Sequence, residues 1–337
     1  MTKGQWPMTK IGRCVVTGSQ GQLGAELCRQ FATGGEGSGF GVQGSGVGGQ
    51  ASESGSLAPS PQPPTPTPRP RVVGLDLPEF DITNRDRVLS TIMEIRPEVI
   101  VNTAAFTLVD KAEQEPDLCR RVNVDGVGHL VEVCRQLDCT LVQISTDYVF
   151  GRDAGRTTPY RENDEPGPLS VYGQTKLEAE RLVAQWPKHF IVRTCGLYGR
   201  PGPRSAGNFV ETMLRLGAES ARSVPGRPLR VVNDQRCAPS YVAHVARAIG
   251  FLAGTTAYGT YHVVNAGDTT WHAFAEEILR RAGSVVRVEA ITTAEYGAVA
   301  PRPAYSILDT AKYRSLAGCP AMPSWKEALG EYLAERL

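Results

Sequence analysis

The sequence predicts an α/β protein built on a doubly wound parallel sheet, with a smaller C-terminal α/β region that caps it. Short apolar runs that suit buried strands alternate with segments whose apolar residues repeat at the helical period of 3.6. Continuous apolar strands separated by helices indicate βαβ units, in which helices cover both faces of a parallel sheet. The chain has 337 residues, enough for one large domain or two of ordinary size.

The first strand is predicted at 13–17, RCVVT, and the helix that follows carries apolar residues at Leu23, Leu27 and Phe31. Strands and helices then alternate. The predicted strands lie at 71–76, 98–102, 140–145 and 189–194, and the predicted helices at 84–96, 116–138 and 172–186. Beyond about residue 196 the pattern loosens into Gly/Pro loops with helices near 208–216 and 240–253, a strand at 229–232 and a C-terminal helix.

These elements predict a first domain over residues 11–195 and a smaller region over 196–337, with about 229–253 woven back into the first domain. Residues 1–10 are predicted to be a flexible tail. Residues 34–70 are rich in Gly and Ser and then in Pro, with few apolar side chains to bury, which predicts a disordered insertion. This insertion falls between the first helix and the second strand, so we expect it to leave the catalytic end unchanged.

The charge balance gives no support for a nucleic-acid or anionic-membrane partner, because 36 basic residues face 35 acidic ones and the formal net charge is +1. No apolar run approaches the roughly 20 residues needed to span a bilayer. The N-terminus has no apolar segment typical of a secretory signal. The eight cysteines include no CxxC pair, which favours buried thiols in a reducing cytoplasm, and neither His nor Cys spacing suggests zinc.

The stretch TGSQGQLG places Gly18, Gly21 and Gly24 between the first strand and the first helix. Residues without a Cβ allow a tight turn and a close approach of the backbone to a pyrophosphate, and the helix N-terminus offers free N–H groups to the phosphates. The position and spacing predict a dinucleotide-binding loop of Rossmann type, although the first spacing is three residues and not the two of G-x-G-x-x-G.

The adenosine end of the site is predicted from the second strand, which ends at Asp76. A carboxylate at this position would accept hydrogen bonds from the adenosine ribose, which favours NAD over NADP. The alternative is that Asp76 merely ends a strand. Asp81 and Ile82 lie where the adenine ring would sit, with a carboxylate for its amino group and an apolar side chain for its face.

The stretch VYGQTK, residues 171–176, places Tyr172 and Lys176 four positions apart at the start of a predicted helix. Residues at i and i+4 are neighbours on any helix, so the pair can arise by chance. The functional alternative is a proton donor beside a cation that tunes it.

G-x-x-G-x-x-G together with Y-x-x-x-K resembles the short-chain dehydrogenase/reductase superfamily. The chain is similar to its extended branch and, within that branch, to the dTDP-4-dehydrorhamnose reductases. The similar stretches cover nearly the whole chain outside 34–70: GSQGQLGAEL (18–27), IRPEVIVNTAAFTLVDKAEQEP (95–116), ISTDYVF (144–150), SVYGQTKLEAE (170–180), GNFVETMLRL (207–216), VVNDQRCAPS (231–240), GTYHVVNAGDTTW (259–271) and PRPAYSILDT (301–310).

This resemblance implies a Rossmann-type sheet with a substrate-binding cap, and reduction of the C4 keto group of dTDP-4-dehydro-β-L-rhamnose by NADPH or NADH. Tyr172 would protonate the nascent alkoxide. Lys176 would lower the pKa of that phenol and bind the nicotinamide ribose. Thr146 would hydrogen-bond the same substrate oxygen; the alternative is a strand-end hydroxyl that only satisfies the local backbone.

The resemblance also implies a wider set of contacts. Asn123 matches a position that supports the active-site backbone. The implied cofactor-binding residues are Gly18, Gly21, Gln22, Leu23, Gly24, Asp76, Asp81, Ile82, Ala105, Phe106, Thr107, Tyr172 and Lys176. The implied substrate-binding residues are Thr146, Asp147 and Tyr148, with Asn208, Arg236 and Arg302 as cap candidates for the diphosphate that could equally be surface side chains.

The chain departs from the family pattern at two places. Many members carry a tryptophan that packs against the substrate where this chain has Gly196, so Tyr198 or Tyr241 would have to supply the missing aromatic surface. Some members bind Mg²⁺ through glutamates between subunits. Glu26 matches one such position but its counterpart here is Ala243, so no metal is expected; a homodimer is compatible with the resemblance.

Two other functions remain open at this point. A sugar-nucleotide dehydratase or epimerase of the same fold is one, although dehydratases tend to follow the threonine with Asp-Glu and Thr146 is followed here by Asp147 and Tyr148. A non-catalytic NADP-binding regulatory subunit, resembling that of methionine adenosyltransferase, is the other. The intact Thr146, Tyr172 and Lys176 argue against it.

Overall fold

The computed structural model describes residues 11–33, 71–205, 207–223 and 228–336. The predicted tail at 1–10 and the predicted insertion at 34–70 lie outside the described residues.

Strands and helices alternate through the first part of the chain, as the apolar patterns predict. The strands are β1 (Arg13–Thr17), β2 (Arg71–Leu75), β3 (Val99–Asn102), β4 (Thr140–Thr146), β5 (His189–Thr194), β6 (Leu197–Tyr198), β7 (Leu229–Val232), β8 (Arg236–Cys237), β9 (Ser240–Tyr241), β10 (Gly259–His262), β11 (Thr269–Thr270) and β12 (Val288–Ile291). The helices are α1 (Gln22–Thr33), α2 (Arg85–Ile95), α3 (Val109–Gln114), α4 (Pro116–Arg120), α5 (Gly126–Leu137), α6 (Val171–Val183), α7 (Phe209–Ser223), α8 (Val242–Ala253), α9 (Trp271–Arg281), α10 (Thr293–Tyr296), α11 (Ala311–Arg314) and α12 (Trp325–Arg336).

Six strands form one parallel sheet in the order β10-β5-β4-β3-β1-β2. The chain moves from β1 outward to β2 and then returns to the other side of β1 for β3. This reversal creates a crevice at the carboxyl ends of β1 and β3, which is where ligands bind in open α/β sheets.

Helices cover both faces of the sheet, which confirms the doubly wound prediction. Alternate side chains of β1 enter two separate cores, because successive residues of a strand point to opposite faces. Cys14 and Val16 pack on one face with α1 and α8, whereas Val15 packs on the other with α2, α5 and α6.

The predicted single helix at 116–138 is wrong in detail. The structure divides it into α4, a π-helical turn at Arg121–Asp125, and α5. The turn carries Asn123, whose buried side-chain amide bonds to the backbone of Phe106. A π-helical turn adds one residue to a helical coil and is often found at functional sites.

Part of the predicted 229–253 segment returns to the first domain. α8, its C-terminal half, packs against α1, whereas β7 pairs with β12 in a two-stranded parallel sheet of its own. Outside the predicted segment, β10 also extends the central sheet beside β5. Every residue of α8 except Arg247 is buried, so this helix lies in the interior of the protein.

A search of the described helices finds none that combines the length and the apolar character required to cross a bilayer.

Candidate active site

The glycine loop lies at the reversal between β1 and β3, and its shape depends on missing side chains. Gly18 has a positive φ of 70°, and a Cβ there would lie 2.5 Å from the backbone nitrogen of Ala104. A Cβ on Gly24 would lie 2.1 Å from the carbonyl oxygen of Gly18. Gly21 closes the turn by donating its N–H to that same oxygen at 3.0 Å. This cradle at the start of α1 fits the pyrophosphate of a dinucleotide.

The first residues of α1 hold the loop in place. Leu23 is buried in the core with α8. The side-chain amide of Gln22 lies 3.2 Å and 2.9 Å from the backbone N–H groups of Tyr198 and Gly199, so it connects the loop to the second region.

At the adenosine end, Asp76 directly follows β2 and accepts a hydrogen bond from the backbone N–H of Gln20 at 2.8 Å. Asp81 closes a turn before α2, accepting from both the backbone N–H and the hydroxyl of Thr83 at 2.8 Å. Ile82 is buried against the start of α5. Contact of these side chains with an adenosine stays a prediction.

The segment after β3 forms the other wall of the crevice. Ala105 and Phe106 are half-buried and Thr107 is exposed. Asn123 accepts from the N–H of Phe106 at 2.8 Å and donates to its carbonyl at 3.2 Å, and also donates to the hydroxyl of Thr175 at 3.1 Å. Asn123 therefore fixes this wall to α6.

Helix α6 brings the phenol of Tyr172 to the end of β4. Ser170 caps the helix by accepting from the N–H of Gly173 at 3.2 Å. Gly173 lets the first turn approach closely, since a Cβ there would lie 2.4 Å from the carbonyl oxygen of Tyr148. The phenol of Tyr172 consequently lies near the hydroxyl of Thr146 at the end of β4.

One turn further along α6, the ammonium of Lys176 donates to the carbonyl of Ile144 at 2.7 Å. Burial lowers the pKa of Lys176 to about 8, and the charge of Glu180 opposes that shift. Burial also raises the pKa of the Tyr172 phenol, and the nearby Thr146 hydroxyl only partly offsets that rise. A lowering of the Tyr172 pKa by Lys176 stays a prediction, because desolvation of the phenol is the larger effect in this structure.

Asp147 and Tyr148 follow Thr146 and have different surroundings. Asp147 is only 2% exposed; its Oδ1 accepts from the hydroxyl of Thr146 at 3.1 Å, and its Oδ2 is buried without a hydrogen-bond partner among the described residues. Burial raises its pKa. The ring of Tyr148 packs edge-on against Tyr172, with centroids 5.9 Å apart. Asp147 thus holds the hydroxyl of Thr146 in place, while the ring of Tyr148 lies beside the Tyr172 phenol.

The three cap residues predicted for the diphosphate have protein partners. Asn208 caps α7, its side-chain oxygen accepting from the N–H of Glu211 at 3.0 Å. Arg236 is paired with Asp268 near the surface. Arg302 donates to both carboxylate oxygens of Asp110 on α3, at 3.1 Å and 2.8 Å. Burial raises the pKa of the Tyr148 phenol, and of these three residues it is Arg302 whose positive charge opposes that rise.

Sequence reasoning missed Glu180, a turn beyond Lys176. It forms a buried ion pair with Arg193 at 2.7 Å and accepts from Ser145 at 2.5 Å. The spacing of Tyr172, Lys176 and Glu180 at i, i+4 and i+8 was the signal that could have found it.

Gly196 has a positive φ of 53°, and a Cβ there would lie 3.1 Å from the ring of Trp271. Neither Tyr198 nor Tyr241 replaces a pocket aromatic. Both are buried and stacked on each other, with centroids 5.8 Å apart. The aromatic side chain beside position 196 is Trp271 at the start of α9.

The described residues contain no group of three or more His, Cys, Asp or Glu side chains arranged to hold a metal ion. Glu26 instead pairs with Arg29 at 2.6 Å.

Comparison with known proteins agrees with this geometry. The family model described as RmlD substrate binding domain matches residues 12–337. The chain is 42% identical over 268 residues to a dTDP-4-dehydrorhamnose reductase of Streptomyces griseus, covering 77% of this chain and 84% of that protein. It is 35% identical over 331 residues to the spore coat polysaccharide biosynthesis protein SpsK of Bacillus subtilis (strain 168), covering 98% of each.

Among solved structures, a dTDP-4-dehydrorhamnose reductase from Bacillus anthracis in complex with NADP superposes with a TM-score of 0.79 at 36% identity, covering 96% of this chain and 99% of that one. A dTDP-4-dehydrorhamnose reductase from Clostridium acetobutylicum gives the same TM-score of 0.79 at 34% identity, with 96% and 99% coverage. The chain therefore belongs to the RmlD family of dTDP-4-dehydrorhamnose reductases.

Proposed function

We propose that this protein reduces the C4 keto group of dTDP-4-dehydro-β-L-rhamnose to give dTDP-β-L-rhamnose, with NADPH or NADH as the reductant. The carrying observation is the placement of Tyr172 and Lys176 together at the carboxyl end of the sheet, where Lys176 donates to the Ile144 carbonyl at 2.7 Å and the Tyr172 phenol lies near the Thr146 hydroxyl. The bound nicotinamide supplies the hydride that the carbonyl carbon receives. The glycine loop at Gly18 and Gly24 would hold its pyrophosphate.

Tyr172 is the proton donor in this proposal. A phenol whose pKa is raised by burial stays protonated at neutral pH, so it is ready to protonate an alkoxide. Thr146, whose hydroxyl lies near the phenol, would orient it. The ammonium of Lys176, held by the Ile144 carbonyl, would stabilise the phenolate that remains after the proton has moved.

Reduction is favoured over dehydration by the residues that follow Thr146. Asp147 is buried and accepts a hydrogen bond from the hydroxyl of Thr146 at 3.1 Å. The next residue is Tyr148, so the Asp-Glu pair typical of dehydratases is not formed. A non-catalytic regulatory role would not require Tyr172 and Lys176 to lie together at the end of β4.

The proposal is tested with purified full-length protein and a panel of dTDP-4-keto sugars. We expect one reduced dinucleotide to be oxidised for each dTDP-4-dehydro-β-L-rhamnose consumed, with dTDP-β-L-rhamnose identified by mass and NMR. Turnover without net dinucleotide oxidation would support a dehydratase or epimerase instead. Tight dinucleotide binding without any turnover would support a regulatory subunit.

The same proposal implies a dTDP-sugar as the binding partner and the cytoplasm as the compartment, where nucleotide sugars and reduced dinucleotides are both present. We also propose a homodimer, which light scattering of the purified protein tests directly.

A further inference from the structure

Residues 202–204, between β6 and α7, lie directly over the glycine loop. The backbone N–H of Arg204 donates to the carbonyl of Gln20 at 3.0 Å. Gly202 packs so closely that a Cβ there would lie 2.3 Å from the same carbonyl oxygen. The segment belongs to the second region of the chain, and it therefore places a residue of that region at the adenosine end of the loop.

The side chain of Arg204 continues toward the end of β2. Its Nε lies 4.0 Å from a carboxylate oxygen of Asp76, and its Nη1 lies 3.5 Å from the carbonyl of Leu77. The Arg204 side chain is 47% exposed, against 12% for Asp76. The guanidinium thus reaches solvent just beside the carboxylate.

Arg204 does not orient this carboxylate. Two backbone N–H groups do so, from Gln20 at 2.8 Å and from Leu77 at 2.7 Å. A separation of 4.0 Å is too long for a hydrogen bond between Arg204 and Asp76. A guanidinium has five N–H donors, so most of those on Arg204 remain for a ligand.

In dinucleotide-binding folds, an acidic residue after the second strand binds the ribose 2′-OH, whereas an arginine nearby accommodates a 2′-phosphate. Here the two side chains are Asp76 and Arg204, which lie within ion-pair distance of each other, at 4.0 Å. Against Asp76 alone, a 2′-phosphate would meet a like charge, and the Arg204 guanidinium offsets that repulsion and offers bidentate donors. We propose that Arg204 binds the adenosine 2′-phosphate of NADP(H) and is the residue that admits this dinucleotide beside Asp76.

This inference rests on the proposed function only in assuming that a dinucleotide occupies the glycine loop. It is tested by binding, without any sugar substrate. Dissociation constants for NADP⁺, NAD⁺ and the fragment 2′,5′-ADP are measured by calorimetry on full-length wild type, Arg204→Ala and Arg200→Ala. Arg200 is the matched control, because it lies just before this segment and carries the same charge but donates to the Glu335 carbonyl at 2.7 Å.

We expect Arg204→Ala to weaken the binding of NADP⁺ and of 2′,5′-ADP about tenfold, which corresponds to the loss of roughly one charge-assisted hydrogen bond. The affinity for NAD⁺ should change by less than about twofold. Arg200→Ala should leave all three affinities unchanged. Asp76→Asn should act in the opposite direction, weakening NAD⁺ relative to NADP⁺. Raised salt should weaken NADP⁺ binding more in wild type than in Arg204→Ala.

Unchanged NADP⁺ affinity in Arg204→Ala, or an equal loss for NADP⁺ and NAD⁺, would overturn the inference. If Arg204→Ala fails to fold, Arg204→Gln, which keeps the length and removes the charge, decides the same question. Selective NADP⁺ loss in a protein that reduces no keto sugar would overturn the proposed function and leave the 2′-phosphate assignment intact. Normal keto-sugar reduction by the wild type, together with no selective loss of NADP⁺ binding in Arg204→Ala, would overturn the 2′-phosphate assignment and leave the proposed function intact.

Discussion

The hydroxyl of Thr146 is held by two hydrogen bonds to the residues that follow it. It donates to Asp147 at 3.1 Å and accepts from the N–H of Tyr148 at 3.2 Å. A hydroxyl has one donor and two acceptor sites, so one acceptor site remains, and the Tyr172 phenol lies near this hydroxyl. We therefore expect Thr146 to accept from the phenol and so to fix where its oxygen lies before any substrate arrives.

Replacing Tyr172 by Phe removes the proposed proton and keeps the ring. We expect kcat to fall by about 100-fold or more, the usual contribution of a positioned acid. The dissociation constant for NADP⁺ should change little, since the loop at Gly18 and Gly24 is untouched. Stopped-flow measurement of dinucleotide oxidation, with calorimetry for binding, checks both. A variant that retains the wild-type kcat would refute the assigned acid.

The pKa of Lys176 sets an expected pH dependence. Burial lowers this pKa to about 8, so the ammonium that supports Tyr172 is lost as the pH rises through that value. We expect kcat/KM to fall on the alkaline side with an apparent pKa near 8. Tyr172 cannot cause this fall, because burial raises its own pKa.

The free energy of unfolding should rise over the same pH range in which the activity falls. A lysine whose folded pKa is depressed destabilises the fold while it is protonated. That cost is present below about pH 8 and is relieved as the pH rises toward the unfolded value of about 10.4. Lys176→Met should remove both dependences. An unchanged alkaline limb in Lys176→Met would show that another group titrates.

At the scale of elements, the glycine between Tyr172 and Lys176 explains how α6 delivers its side chains. The first turn of α6 contacts the backbone of Tyr148, and Gly173 is the residue at the contact. Any side chain there would push the helix away from β4 and separate Tyr172 from Thr146. The Y-G-x-T-K pattern is therefore a packing requirement as well as a chemical one.

Gly173→Ala tests this packing. Its Cβ would lie 2.4 Å from the Tyr148 carbonyl oxygen, so we expect a loss of about 1–3 kcal/mol in the free energy of unfolding and a lower kcat. The matched control is Gly128→Ala in α5, where the nearest atom to a new Cβ is 3.9 Å away. That change should be neutral or stabilise the helix by up to about 1 kcal/mol. Urea unfolding measures both; equal effects would contradict the contact.

Most helices and strands could be predicted from the sequence because buried apolar residues recur at the period of each element. The strand at 13–17 was predicted to the residue, since its apolar run is bounded by the glycine loop. The π-helical turn around Asn123 was not predicted, because its cause is a hydrogen bond to Phe106, a residue 17 positions earlier in the chain. The pairing of β7 with β12 was missed for the same reason, as no local pattern identifies a strand's partner.

The site residues divide in a similar way. Tyr172, Lys176 and the glycines follow from spacing within one element or turn, and their placement together follows from the sheet. The surroundings of Asp147 do not, because the side chains near its carboxylate, Ser306 and Cys195, come from distant parts of the chain. Arg204 was not predicted either, since only the folded chain brings it to Asp76.

At the scale of the whole molecule, the candidate site lies between the two regions, and an ion pair joins them beside it. Arg302 of the second region donates to both oxygens of Asp110 on α3, and the N–H of Ala300 donates to Asp110 at 2.9 Å. The guanidinium holds the pKa of Asp110 below its usual value. This pair ties the segment around residue 300 to the wall beyond Phe106, next to Tyr148.

A double-mutant cycle on this pair separates a structural tie from direct substrate binding. If Arg302 acts by holding the segment to α3, then Asp110→Asn and Arg302→Gln should each raise KM for the sugar nucleotide by similar factors, with little further increase in the double variant. The pair is partly exposed, so we expect a coupling of about 1 kcal/mol or less. If instead Arg302 contacts the diphosphate directly, Arg302→Gln should raise KM equally with or without Asp110→Asn. Because Arg302 already donates to both Asp110 oxygens and to the Ala300 carbonyl, we expect the first outcome, measured as initial rates over a range of sugar-nucleotide concentrations.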